Sequence, residues 1–439
     1  MRITTSYGVA FKDAHNAIRR TLEYYRSAVN YLVPVVEANW GDISAQETAL
    51  DKRRVVERLI HGTKKQNPVY DFDKQFYKFP VYLRRAAITS AIGAFSSWKS
   101  NHDNWLTNKE GGEPKLGVDN HICPAFYNKN MFNPLGKYTA QIKVFQNNDW
   151  VWQTIRLKKT DVDYLKRRTF GRDCEISAPV IVKKPGDYFE LRFTLEETVE
   201  LSNVPLRDQK ICAVDLGLNT DATCSIMDVH GTILARKFIR CAREQDSVRA
   251  MLHRVSDFQR EHGSHDVGRL WAVVKNRNEN LANQVARKIV DFALEHQCDV
   301  IVFEYLDTSG KKHGSKKQRL HHWKHRDIQK VAESLAHRYG MRISRVCAWN
   351  TSRLAYDGSG KVKRGREVSE NNPYDICQFT TGKVYNCDLS ASYNIGARYF
   401  LRGLIGELPG IETEVPNAPS GTRRVLSDLW YIDKLMYLM

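Results

Sequence analysis

The stretch that decides the fold is ICAVDLG, residues 211–217, in which four apolar residues lead directly into Asp215. Two later segments have the same character: VIVFEY contains Glu304, and NCDLSASYNIG contains Asp388. Short apolar runs of this kind are typical of buried elements. An acid at the end of a buried element is held by stiff backbone, so these three acids are the first candidates for a site.

Three carboxylates in the order Asp, Glu, Asp, far apart in the chain, are the ligands that a two-metal phosphodiester hydrolase needs. Mg²⁺ prefers such hard oxygen ligands and usually keeps some waters for a substrate phosphate. Two Mg²⁺ ions bridged by Asp215, Glu304 and Asp388 would activate a water and stabilise the leaving 3′ oxygen. Each acid also has a structural alternative: Asp215 and Glu304 could face solvent at strand ends, and Asp388 could cap a helix.

The order of elements around the acids predicts the fold of this half. Asp215 is followed by a meander with a turn at residues 230–231, and the run 300–303 is typical of a central buried strand. Meander, long helix, strand with Glu304, helix, strand and helix with Asp388 is the plan of an RNase H-like nuclease fold. We therefore expect an α/β domain.

The first 209 residues have a different texture. A strand at residues 2–9 precedes long segments with helical spacing of apolar residues, which extend to residue 106. Strand-like segments separated by turns then follow between residues 138 and 195. This order predicts a small β-barrel interrupted by a helical insertion.

Charge indicates a polyanionic partner, because 67 Lys and Arg against 50 Asp and Glu give a net charge of +17. Such an excess concentrates nucleic acids and makes their binding salt-dependent. Residues 311–326 contain seven Lys or Arg, four His and no carboxylate. A solvated loop and helix start is the alternative for this segment. The predicted nucleic-acid contacts are Lys311, Lys312, Lys316, Lys317, Arg319, Lys324 and Arg326, together with Arg84 and Arg85.

The cysteines and the hydropathy pattern bear on the compartment. Nine cysteines are scattered along the chain, and no segment has the pattern of a charged leader followed by an apolar run. No apolar run approaches the ~20 residues of a membrane span. We expect a cytoplasmic protein without disulfides or a membrane partner, associated with the nucleoid when bound to DNA.

From about residue 211 to residue 400, this sequence resembles the RuvC nuclease domain of TnpB-type proteins from insertion sequences, the lineage of the compact type V CRISPR effectors. The resemblance rests on the three acid-bearing segments, on residues 280–293 and on NTS at 350–352. It implies RNA-guided cleavage of double-stranded DNA beside a short flanking motif, with Asp215, Glu304 and Asp388 as ligands of two Mg²⁺ ions. The implied guide RNA would come from a transposon end or from a CRISPR array.

The resemblance also implies a division of the chain into parts. These are a wedge-like β-barrel (1–10 and 130–209), a helical recognition insertion (11–129), the RuvC domain (210–346 and 386–405), an insert like a target-nucleic-acid-binding domain (347–385) and a C-terminal tail (406–439). Within the insert, we expect residues 357–366 to form a flexible basic loop that touches the substrate strand.

One feature of TnpB-type proteins, a four-cysteine zinc ribbon between the second and third acids, is incomplete here. The region contains only Cys347, Cys377 and Cys387, and none of them forms a Cys-x-x-Cys pair. A structural zinc ion needs four closely placed ligands. We therefore expect no complete zinc ribbon; a Cys₃His site with a distant His is the remaining route.

Two other functions stay open from the sequence. The first is a nuclease-inactive, RNA-guided DNA-binding repressor, although three crowded carboxylates without metal would repel one another at a cost in stability. The second is a guide-independent transposase or nuclease, although the large region before Asp215 exceeds what a bare nuclease needs.

Overall fold

The structure is a computed structural model that describes residues 1–62, 67–109, 111–118, 122–126, 129–184, 188–263, 267–306 and 323–406. The chain forms two compact units, one of residues Arg2–Thr198 and one that begins at Val199 and includes Met1. Both mix helices and strands, so the expected combination of helices with sheets is confirmed. None of the helices among the described residues combines the length and hydrophobicity needed to cross a bilayer.

The first unit contains the predicted strand, helices and further strands in that order. Its helices are α1 (His15–Ala38), α2 (Trp40–Ser44), α3 (Ala49–Ile60), α4 (Phe72–Gln75), α5 (Val81–Asn108) and α6 (Lys159–Thr169). Its strands are β1 (Arg2–Lys12), β2 (Phe132–Pro134), β3 (Thr139–Gln146), β4 (Asp149–Leu157), β5 (Cys174–Ile176), β6 (Val180–Lys184) and β7 (Tyr188–Thr198).

The sheet of this unit is antiparallel, with the order β2-β3-β4-β1-β7-β5 and with β6 also paired to β7. Strand β1 joins its two halves, because residues 2–10 pair with β7 whereas Phe11 and Lys12 pair with β4. Helices α1 and α5 contribute the largest helical share of the hydrophobic core beside this sheet.

The second unit contains the segments with the three acids. Its strands are β8 (Ile211–Asp215), β9 (Ala222–Met227), β10 (Ile233–Ile239), β11 (Val300–Tyr305), β12 (Arg342–Cys347), β13 (Lys363–Arg364), β14 (Ile376–Gln378) and β15 (Val384–Asn386). Its helices are α7 (Ala242–His262), α8 (Gly268–Glu295), α9 (His325–Arg338) and α10 (Cys387–Gly406).

The main sheet of this unit has the order β10-β9-β8-β11-β12. Strands β8, β9 and β10 run antiparallel, whereas β11 runs parallel to both β8 and β12. Successive side chains of β8 belong to two different hydrophobic clusters, one on each face of the sheet. Cys212 and Val214 pack with residues of α8 and α9. Ile211 and Ala213 pack with residues of α10. A strand that is covered on both faces must be apolar throughout, which explains the continuous run before Asp215.

Helix α10 packs closely on the sheet because it has a glycine at the contact. A Cβ at Gly396 would lie 3.3 Å from the Cβ of Ala213 and 2.9 Å from the Sδ of Met227. Glycine at this position therefore lets the helix that carries Asp388 lie against the strand that carries Asp215.

The insert is more ordered than the sequence suggested. Strands β13, β14 and β15 form a small antiparallel sheet, and residues 357–366 contribute β13 to it. Ala355, Cys377, Phe379 and Cys387 are buried together beside this sheet. The segment expected to be a loop therefore contributes a short strand, whereas its flexibility and its contact with the substrate strand remain predictions.

Candidate active site

The ends of two neighbouring strands bring Asp215 and Glu304 together. Strands β8 and β11 are parallel, and Val214 pairs with Phe303. Each acid is the next residue along its strand, so both lie at the same edge of the sheet. Asp388 lies in the first turn of α10. The sequence therefore predicted correctly which elements carry the three acids.

The ionisation of Asp215 is affected by the other two acids. Burial raises the pKa of Asp215 well above its ordinary value, and the charges of Glu304 and Asp388 raise it further. The charge of Arg364 opposes this rise. A carboxyl group responds in this way when neighbouring carboxylates are close and no cation compensates for them fully.

The other two acids are also shifted towards their neutral forms. Burial raises the pKa of Glu304, whereas a hydrogen bond from Thr351 and the charge of Arg398 lower it. Arg398 is itself only 4% exposed and donates to the carbonyl of Cys347.

Burial is also the main reason that the pKa of Asp388 is raised. Arg364 and Arg240 oppose the rise through their charges, whereas Asp375 adds to it. Arg364 is anchored, because its guanidinium donates to the carbonyls of Ser352 and Tyr374 at 3.2 and 3.3 Å. It is therefore a cation built into the site.

The alternative role of Asp388 as a helix cap is wrong. The Oδ1 of Asn386 accepts hydrogen bonds from the backbone N–H groups of Asp388 and Leu389, at 3.1 and 3.0 Å. Asn386 thus caps α10 and leaves the carboxylate of Asp388 available for other partners. A carboxylate in the first turn is also favoured by the helix dipole.

A cleft of about 1180 Å³ opens beside Asp388 and is lined by more basic than acidic groups. Two aromatic residues, Trp323 and Tyr374, also line it. The basic residues of its lining are Arg240, Arg353, Lys361, Lys363 and Arg364, and the acidic ones are Glu367, Asp375 and Asp388. The basic side chains of this cleft can attract a polyanionic chain to Asp388.

The sequence reasoning did not single out Arg240, Arg353 or Arg364. The basic run at 357–366 was the available signal for Arg364, but it gave no means of choosing one residue. Arg240 follows β10 and Arg353 follows the NTS motif. Only the folded chain brings the three to one cleft.

The predicted nucleic-acid contacts have different outcomes in the second unit. Lys324 pairs with Asp327 at 2.8 Å, and Arg326 is exposed. Both therefore remain predictions. Five others lie outside the described residues: Lys311, Lys312, Lys316, Lys317 and Arg319.

In the first unit, Arg84 is only 4% exposed. Its guanidinium donates to Asp73 at 2.9 Å and lies 3.7 Å from Glu57. The contact predicted for Arg84 would thus require these buried ion pairs to open. Arg85 is more exposed, although it also pairs with Glu57, at 3.1 Å. Of the two, Arg85 is better placed to meet a phosphate.

Divalent metal is the cofactor that the acids suggest. In the part of the chain that the structure describes, no three His, Cys, Asp or Glu side chains form a group that could hold a metal ion. This finding contrasts with the effect that the charges of Glu304 and Asp388 have on the pKa of Asp215. Mg²⁺ commonly takes only one or two carboxylates and completes its octahedron with water and substrate phosphate. The acids therefore fit Mg²⁺ in donor type and charge.

Comparison with known proteins identifies a relative of the expected kind. A family model described as the Aq_aa04 family matches residues 4–146. The TnpB-like protein aq_aa05 of Aquifex aeolicus (strain VF5) is 26% identical over 239 residues, which cover 49% of this chain and 74% of that protein. The predicted resemblance to TnpB-type proteins is thereby confirmed.

Two solved structures are also similar to this chain. A Cas12f1–sgRNA–target DNA complex has 14% identity and a TM-score of 0.49, covering 94% of this chain and 81% of that one. The C2c1 protein of Alicyclobacillus acidoterrestris, in complex with single-guide RNA, has 11% identity and a TM-score of 0.46, covering 88% and 67%. Likeness at this level does not define a shared fold.

Proposed function

We propose that this protein is a Mg²⁺-dependent, RNA-guided DNA endonuclease with an RNase H-like, RuvC-type nuclease domain. The observation that supports this most strongly is the placement of Asp215 and Glu304 at one edge of the sheet, together with Asp388, whose charge acts on Asp215 and which lines a basic cleft. The charges of Glu304 and Asp388 oppose ionisation of Asp215, which a bound cation would relieve, and the basic lining of the cleft favours an anionic chain. A metal-dependent phosphodiester hydrolase binds both a divalent cation and a polyanionic substrate.

The strand order of the second unit is compatible with an RNase H-like domain. Three antiparallel strands are followed by two strands parallel to the first, in the order β10-β9-β8-β11-β12. Acids at the ends of the first and fourth strands and in a later helix match the plan expected from the sequence. We assign residues 210–346 and 386–405 to this domain and residues 347–385 to its insert.

The mechanism assigns a role to each acid. Bound Mg²⁺ would supply activation of a water and stabilisation of the leaving 3′ oxygen. Asp215 and Asp388 would provide oxygen ligands, and Glu304 would orient the attacking water. Because Glu304 is buried, bulk water has limited access to it, which strengthens its electrostatic interactions. Hydrolysis would leave a 5′ phosphate.

Target choice would come from base pairing between a bound guide RNA and double-stranded DNA, together with a short flanking motif. The resemblance to a TnpB-like protein and the net charge of +17 support this part of the proposal. We assign residues 1–10 and 130–209 to a wedge-like barrel and residues 11–129 to a recognition insertion, which together would hold the heteroduplex.

The first test is to purify the full chain from cells that carry its native locus and to sequence the RNA that accompanies it. We expect one abundant RNA with a constant part and a variable end, and Mg²⁺-dependent cleavage of DNA that matches the variable end. DNA cleavage without an enriched RNA would favour a guide-independent nuclease or transposase. RNA-dependent binding without cleavage would favour a repressor.

A second prediction concerns the basic cleft. The double variant Arg353→Glu/Lys361→Glu is expected to bind single-stranded DNA about tenfold more weakly at low salt. The slope of log affinity against log salt should also fall by about 1.4, because each lost phosphate contact with a single strand contributes about 0.7. Fluorescence anisotropy over a salt series measures both quantities.

The matched control is Arg254→Glu/Arg260→Glu, which makes the same change in net charge on exposed positions of α7. Neither residue lines the cleft. If both double variants lost affinity equally, general charge would account for the binding, and the cleft would have no special role.

A further inference from the structure

The buried carboxylate of Glu304 has a hydrogen-bond donor that the mechanism above does not use. Glu304 is 7% exposed and Thr351 is 3% exposed, so bulk water has little access to either. The Thr351 hydroxyl donates to the Oε1 of Glu304. Its oxygen also lies 3.1 Å from the carbonyl oxygen of Ala348. A hydroxyl has one proton, and an ionised carboxylate is the stronger acceptor, so the proton goes to Glu304.

The backbone around Thr351 is in turn held by the helix that carries Asp388. The Nδ2 group of Asn394 donates to the carbonyls of both Thr351 and Leu354, at 2.8 Å each. Asn394 therefore uses both of its amide hydrogens to hold this segment.

Farther along the same helix, Arg398 donates to the carbonyl of Cys347 at 2.5 Å. Asn394 and Arg398 of α10 thus form hydrogen bonds with opposite ends of the segment 347–354. These hydrogen bonds fix the segment relative to α10.

We propose that Thr351 is a positioning residue for Glu304 and that Asn394 ties Thr351 to the helix of Asp388. In this arrangement the orientations of two metal-binding acids are set together, through one hydroxyl and one amide. The inference rests on the proposed function, since it assumes that Glu304 and Asp388 bind the same divalent metal centre. It gives the NTS segment at 350–352 a physical role that the sequence did not reveal.

The Glu304 backbone is fixed separately, which isolates the contribution of Thr351. The Nε2 of Gln329 donates to the carbonyl of Glu304 at 2.9 Å, and Arg345 holds the Oε1 of Gln329 at 3.1 Å. Loss of the Thr351 hydroxyl would therefore free the Glu304 carboxylate to rotate while its backbone stayed in place. Partners that orient metal-ligating carboxylates typically contribute about 10- to 100-fold to metal affinity or activity.

The test compares Thr351→Val, which removes the hydroxyl but keeps the shape, with Thr351→Ser, which keeps the hydroxyl. Binding of Mn²⁺ to the full-length protein, followed by electron paramagnetic resonance, requires neither guide nor catalysis. We expect Thr351→Val to weaken Mn²⁺ binding by at least about tenfold. Thr351→Ser should bind Mn²⁺ like the wild type, and DNA cleavage should follow the same order.

Asn394→Ala provides a second route if Thr351→Val does not fold. It leaves the hydroxyl in place but frees the backbone that carries it, so Mn²⁺ binding should also weaken. Thermal unfolding of each variant identifies those that fold.

Wild-type Mn²⁺ affinity in folded Thr351→Val or Asn394→Ala would overturn the inference. So would an equal loss in Thr351→Ser, because the hydroxyl would then not be responsible. If Asp215→Ala bound Mn²⁺ as well as the wild type, the metal centre itself, and with it the proposed function, would be wrong. The two failures are therefore distinguishable.

Discussion

Asp215→Ala should abolish divalent-dependent DNA cleavage, with a loss of about 1000-fold or more. Metal ligands at such a centre stabilise the transition state by several kcal/mol, and each ~1.36 kcal/mol corresponds to a factor of ten in rate. Among the three acids, Asp215 is the one whose pKa responds to the charges of both others. Single-turnover cleavage of a matched DNA by the purified RNA-bound protein measures the effect.

The control is Asp246→Ala, which removes an acid from an exposed position of α7. It should cleave at the wild-type rate and retain the same RNA. Binding of RNA and target DNA by Asp215→Ala should also be unchanged, because the substitution removes a metal ligand and leaves the basic cleft intact. Cleavage by Asp215→Ala within tenfold of the wild type would contradict the assignment of the site.

The three acids could be predicted from the sequence because each follows a local pattern. Burial on both faces of β8 and β11 requires continuous apolar runs, so the polar residue at the end of each run stands out. Asp388 was predicted from its own segment, NCDLSASYNIG, and from the helix expected to follow it. Its cap, Asn386, was overlooked, although a polar residue two positions before the acid was the available signal.

The partners of the acids could not be predicted, because they are distant in sequence. Thr351 lies 47 residues from Glu304 in the chain, and no local pattern links a hydroxyl to a carboxylate across that distance. Arg84 is a second example. A basic residue at a helix start is a candidate phosphate contact, and the sequence does not show that Asp73 and Glu57 pair with it in the folded chain. The sequence shows where the basic residues are, but it does not show which of them form ion pairs with carboxylates in the folded chain.

The ordered structure of the insert could not be predicted from the sequence for a similar reason. Residues 357–366 are polar and rich in glycine, which is typical of a loop. The apolar residues that fix them, among them Phe379 and Cys377, come later in the chain. In this protein an apolar cluster lies in the insert, the region where TnpB-type proteins usually carry a zinc ribbon.

A different substitution of Asp215 should increase the stability of the metal-free protein. In the metal-free protein, Asp215→Asn should raise the midpoint of thermal unfolding above that of the wild type at neutral pH. Burial and the charges of Glu304 and Asp388 oppose ionisation of Asp215 in the folded state. Asparagine keeps the shape but removes the charge. Each ~1 kcal/mol gained should raise the midpoint by about 2–4 °C in a domain of this size.

The sign of the pH dependence follows from the raised pKa of Asp215. Between its unfolded and folded pKa values, the folded state binds more protons, so wild-type stability falls as pH rises through that interval. The advantage of Asp215→Asn should therefore grow with rising pH and shrink towards acid pH. Added Mg²⁺ should narrow the difference, because it stabilises the folded wild type in proportion to its binding. A series of thermal unfolding curves from pH 5 to pH 8, with and without Mg²⁺, measures this difference in stability. If Asp215→Asn were less stable than the wild type at every pH, ionised Asp215 would not be destabilising the folded protein.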